Sequence, residues 1–141
     1  MSNYDRFLKK ASKELFYSGD LFRTEDLSRS KIELMENRQV NFRDFIIFHF
    51  PFDRSLIAIG EYRILFSKGD RNVSINYSQI DSLRVVNIDE SGSVVKKESI
   101  SKLKIVTKDG CKYYLEFNKP GVVMSIFRLV KFGRWLCLRT E

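Results

Sequence analysis

The sequence predicts an α+β fold that is mainly β, with a bent antiparallel sheet or partly open barrel as its body. Three observations carry this. Hydrophobic period switches from helical to strand-like near residue 41. Seven short apolar or alternating runs then follow, joined by brief polar turns. The last run is followed by Pro120 and a broad apolar helical face, the pattern of a helix that closes a sheet. The 141 residues fit one domain with an appendage: a helical extension over 1–40, and a body with C-terminal helix and tail over 41–141.

In the extension, Tyr4, Phe7, Leu8, Ala11 and Leu15 share one face of a helix over 4–16, and Arg6, Lys9, Lys10 and Lys13 take the other. Ser2 or Asn3 can cap its start, and Ser18-Gly19-Asp20 is its expected stop. A second helix is expected over 25–36, capped by Thr24, with Glu25 and Asp26 at its positive end and Leu27, Leu34 and Met35 as contacts.

The strands follow in order. Residues 42–50, "FRDFIIFHF", are apolar on both faces, as in a strand covered on both sides, and Pro51 ends them. Residues 55–59 and 62–67 pair across Gly60-Glu61, and 73–77 follow the polar cluster "KGDRN". Residues 79–88 make a fifth strand, and 89–99 form a polar surface loop. The runs 102–108 and 111–118 meet at Asp109-Gly110, a pair suited to the positive φ angles of a two-residue hairpin turn. From Pro120, Val122, Val123, Ile126, Phe127, Leu129 and Val130 form one apolar helical face. Gly133 is its expected stop, because a continuing helix would carry Arg134 into that face. The tail holds Trp135, Leu136 and Leu138.

The runs "LIAIGEYRILFSKGDRNVSINYSQIDSLRVV" and "LKIVTKDGCKYYLEF", followed by a helix, carry Arg63-Ile64-Leu65-Phe66, Tyr77, Ile80, Leu83 and Thr107 to Phe117. In this pattern the chain resembles the pleckstrin-homology-like superfamily, in particular bacterial PH-like and GRAM-like domains, over about residues 42–132. The resemblance implies a seven-strand barrel of two nearly orthogonal sheets with the helix plugging one end. It also implies an anion or lipid-headgroup site near the first strands, where this chain offers Arg54, Arg63, Lys68 and Arg71, with Asp53 beside Arg54.

Composition narrows the chemistry. Net charge is +7, and 5 basic residues against 1 acidic residue over 119–141 supply most of the excess. A basic end suits nucleic acid, an anionic membrane or an acidic partner. The start "MSNYDRFLKK" carries no apolar run of the secretory type, and no stretch reaches a membrane span. The expected setting is therefore cytoplasmic, with peripheral membrane attachment through the basic face of helix 4–16 as a second option. Cys111 and Cys137 are expected as free thiols, and with His49 the only histidine they do not make a zinc set. There is no phosphate-cradling glycine motif and no nucleophile elbow, and His49 sits between Phe48 and Phe50 as a sheet residue would.

The expectation is a non-catalytic adaptor without a cofactor. It would dock a protein or a second copy through Trp135, Leu136 and Leu138. The alternatives are the anion set named above and a nucleic-acid stripe built on Lys102, Lys104 and Lys108. Lys96, Lys97 and Tyr114 lie near that stripe.

Overall fold

A computed structural model of the chain describes residues 2–17, 20–52, 54–86, 91–94, 96, 102–117 and 119–139. Helix α1 runs Asn3–Tyr17. Ser2 caps it: its Oγ accepts the Asp5 N–H at 3.1 Å and donates to the Asp5 carboxylate at 2.7 Å. Phe7, Ala11 and Glu14 face inward, while Lys9 and Lys13 face out. The expected stop at Ser18 and Gly19 lies outside the described residues.

Where one helix was expected over 25–36, the chain makes a 3-10 turn and a shorter helix, preceded by a short strand. Strand β1 is Phe22–Arg23, Thr24–Asp26 is a single 3-10 turn, and α2 is Arg29–Asn37. Leu27 and Ser28 are extended, with ψ of 131° and 161°, so helical hydrogen bonding restarts at Arg29. Ser28, not Thr24, is the cap, accepting the Lys31 N–H at 3.4 Å.

Strands β2 (Ile47–His49), β3 (Ile57–Ile59), β4 (Arg63–Lys68) and β5 (Arg71–Asn76) join β1 in an antiparallel sheet in chain order. β2 is shorter than the apolar run suggests, because the Asn41 side chain accepts the Arg43 N–H at 3.0 Å and turns 42–44 into a 3-10 turn. After the turn Tyr77–Gln79, strands β6 (Ile80–Val85), β7 (Lys102–Thr107) and β8 (Lys112–Glu116) form a second antiparallel sheet. Among the described residues there are eight strands, one more than expected. The addition is β1, too short for its alternation to be visible in sequence. Residues 87–90 and most of the 95–101 stretch, Lys97 included, lie outside the described residues.

The β7–β8 hairpin forms where expected, with a different turn. Thr107 N–H bonds the Cys111 carbonyl at 2.9 Å and Gly110 N–H bonds the Thr107 carbonyl at 2.9 Å, so the loop has three residues, 108–110. Only Gly110 takes positive φ, at 89°, and Asp109 does not. That is a type I turn closed by a glycine bulge. Asp109 earns its place through its side chain, which accepts the Thr107 hydroxyl and the Cys111 N–H.

Helix α3 is Pro120–Arg139. It does not stop at Gly133. That residue is buried against the Tyr77 ring, and a Cβ there would collide with the ring carbons. Glycine serves close approach rather than termination. Arg134 avoids the core by reaching out to the Asp81 carbonyl at 3.0 Å, at the bulge of β6.

One hydrophobic cluster unites the fold. Ile57, Ile59, Ile64, Phe66 and Ile75 of the first sheet meet Leu103, Ile105, Leu115 and Phe117. Phe7 of α1 and Val122, Ile126, Leu129 and Leu136 of α3 complete it. A second cluster, with Leu27, Met35, Phe45, Phe48, Ala58 and Leu65, covers the other side of the first sheet. Ile47, Ile57 and Ile59 fall into the first cluster and Phe48 and Ala58 into the second, which explains why these strands are apolar on both faces. α1 packs on α3. Glu14, late in α1, meets Arg128 of α3.

Candidate functional site

α3 is the element whose chemistry is least explained by folding alone. Its inner face is fully used, yet its outer face is not the polar surface of an ordinary amphipathic helix. Phe127 and Phe132 are half-buried, and Trp135 and Leu138 are 48% and 49% exposed. Phe132 and Trp135 stack at 5.6 Å between ring centroids. The Lys131 ammonium stands 5.7 Å from the Phe127 ring, and the Arg139 guanidinium 4.6 Å from the Trp135 ring. Helix α3 bears Arg128, Lys131, Arg134 and Arg139 and no carboxylate. Of the three tail residues grouped in the sequence, Trp135 and Leu138 point outward. Leu136 is buried in the main cluster and is removed from the docking set. A helix that continues through 133 rotates it inward by its own period.

The anion set does not converge. Lys68 and Arg71 face each other across the β4–β5 turn. Arg63 begins the same strand, five residues and about 17 Å from Lys68. It is already paired, with its guanidinium 3.2 Å from the Asp44 carboxylate and 4.9 Å over the Phe45 ring. Arg54, at φ 62°, borders a hollow with Lys31, Phe50 and Phe52, whereas Lys68 borders another with Tyr113 and Tyr114. Asp53 lies outside the described residues. A cleft of about 760 Å³ lies elsewhere, between the start of α1, β1 and the β3–β4 turn. Two of the arginines that line it face carboxylates: Arg23 is 3.7 Å from Glu25, and Arg63 pairs with Asp44.

The lysine stripe is partly regrouped. Lys102 and Lys104 share the outer face of the second sheet. Lys108 does not join them, because β7 ends at Thr107 and Lys108 enters the turn, its N–H bonding the Gln79 carbonyl at 2.8 Å. Strand register brings Arg84 beside Lys104 and places Lys112 beside Val106, two cations that sequence reading had not joined to the stripe. The signal for Lys112 was alternation with Tyr114. Arg84 depends on a register across a long connection.

His49 is buried, with Nδ1 2.8 Å from the Asp20 carbonyl and its ring stacked on Phe117 at 5.7 Å. Burial pushes its pKa below the usual histidine value, the Asp20 carbonyl opposing, so the ring is neutral and donates from Nδ1. It is a core residue of the sheet. Cys111 is exposed and Cys137 half-buried, and neither is in a disulfide. Among the described residues no group of three or more His, Cys, Asp or Glu side chains could hold a metal, and no helix is long and apolar enough to cross a membrane.

No family model, curated protein or solved structure matches the chain.

Proposed function

We propose that the chain is a PH-like, non-catalytic docking module that binds an acidic, apolar-anchored segment of a protein partner along the outer flank of α3. The PH-like reading is supported by element order: four successive strands, β2–β5, then three, β6–β8, then a helix packed on both the core and the second sheet. The docking reading rests on one observation. The flank formed by Phe127, Lys131, Trp135 and Leu138 presents aromatic and aliphatic anchors although the opposite face of the same helix already fills the core. Half-exposed tryptophan beside arginine is the composition of interface hot spots.

Charge selects the partner class. Pairing two copies of this flank would set Lys131, Arg134 and Arg139 against their own kind with no carboxylate on the helix itself to answer them, which disfavours self-association. A partner with carboxylates around apolar anchors removes that cost. The test is site-specific photo-crosslinking from position 131 in the full-length protein. A crosslinked protein with an acidic amphipathic segment, lost in a Trp135→Ser/Leu138→Ser variant that stays folded, is the expected result. Flotation of the protein with anionic vesicles, abolished by the same double variant and without protein crosslinks, would transfer the flank to a membrane role. Light scattering that shows a dimer would transfer it to self-association.

A further inference from the structure

The outer face of the second sheet is a separate surface. Register lays it out as three rows across β6, β7 and β8. The central row is Arg84–Lys104–Tyr114. On one side lie Lys102 and Glu116, and on the other Ser82, Val106 and Lys112. Four cations therefore share this face with one carboxylate, and Glu116 is matched by Lys102 at 3.6 Å. Neighbouring strands are about 4.8 Å apart and alternate residues about 6.7 Å apart, so the cations form a flat lattice rather than a cup.

Tyr114 stands in that lattice with 55% of its surface exposed and the Lys104 ammonium 5.7 Å from its ring. Beyond it, β8 pairs with no further strand among the described residues. There a pocket of about 220 Å³ opens, bordered by Tyr114, Phe52 and Lys68. Phe52 is itself half exposed. An aromatic face, a small pocket beside it and cations at strand spacing fit a chain that alternates flat rings with phosphates.

We propose that this face binds single-stranded nucleic acid, with one base stacked on Tyr114 and the phosphates tracking Arg84, Lys102, Lys104 and Lys112. A duplex keeps its bases stacked on one another and cannot offer a free ring to Tyr114. The lattice is also too flat to grip one phosphate cluster from several sides, as a headgroup site would.

The experiment is fluorescence anisotropy on the full-length protein with labelled single-stranded DNA and RNA of about 12 nucleotides, from about 50 to 200 mM salt. Binding should weaken with salt, with a slope of log affinity on log salt near −0.7 per phosphate engaged, about −2 to −3 for this face. Arg84→Ala and Lys104→Ala should each lower affinity and flatten the slope by about 0.7. Tyr114→Ala should lower affinity at least about fivefold with the slope unchanged, and Tyr114→Phe should retain binding. All three substituted side chains are at the surface or half exposed, and circular dichroism checks that each variant is folded. Equal affinity for duplex, an unaffected Tyr114→Ala, or anionic vesicles competing through the same residues would each overturn the proposal.

Discussion

Glu14 shows how much one residue can carry through a partner that its neighbours in the chain do not reveal. Lys10 and Lys13 stand near it, yet helical spacing sets it in line with Phe7 and Ala11, and it is 2% exposed. Arg128, 114 positions later, holds it with two bonds, Nε to Oε1 at 2.6 Å and Nη2 to Oε2 at 2.9 Å, and Lys10 adds a charge at 3.8 Å. Burial alone would raise the carboxyl pKa. The Arg128 and Ser125 hydrogen bonds and the nearby positive charges outweigh it, and the value falls below the ordinary 4.5. The unfolded chain therefore takes up this proton first as pH falls. The Glu14 contribution is complete above 4.5 and is lost as pH drops through the lower folded value. Glu14→Gln should cost about 1–3 kcal/mol near neutral pH and remove that part of the acid-side decline. Urea unfolding midpoints followed across the acid range measure both.

Elements were legible where their causes are local. The three-strand and four-strand runs, the hairpin glycine, the Ser2 cap and the opening of α3 at Pro120 all follow from neighbours in the chain. The failures have non-local causes. α2 starts late because Leu27 is extended and buried in the second cluster with Phe48 and Leu65, and Ser28 after it is extended too. α3 runs past Gly133 because the glycine answers to Tyr77, whose ring is wholly buried and whose hydroxyl donates to the Gly60 carbonyl at 2.8 Å. Gly133→Ala gains roughly 1 kcal/mol of helix propensity but overpacks this contact. The net expectation is a loss of about 1–2 kcal/mol, since the ring is pinned by its hydroxyl bond and cannot yield cheaply. In a Tyr77→Leu background the same substitution should become neutral or stabilising, and a double-mutant cycle on unfolding free energies reads the coupling.

At the scale of the molecule, candidate sites were least legible, because they depend on which residues the fold brings together. Arg63 and Lys68 are five apart in sequence and stand at opposite ends of one strand, whereas Arg84 and Lys104 meet across a register. The same long-range assembly makes the extension inseparable from the body. Phe7 of α1 is wholly buried in the cluster that also contains Ile64 and Phe66 of β4, Leu103 of β7 and Leu129 of α3. Phe7→Ala should therefore destabilise the whole molecule, by about 3–5 kcal/mol, rather than release one helix. Two signals decide this. Trp135 is the only tryptophan and reports on α3 through its contact with Phe132, while far-UV circular dichroism reports on all elements. In one cooperative unit both transitions shift to the same lower urea concentration and remain superimposed. If α1 were an appendage, the variant would lose helical signal at low urea while the Trp135 midpoint stayed in place. Glu14→Gln, two turns further along α1, should behave in the same way with a smaller shift, because its partner Arg128 belongs to α3.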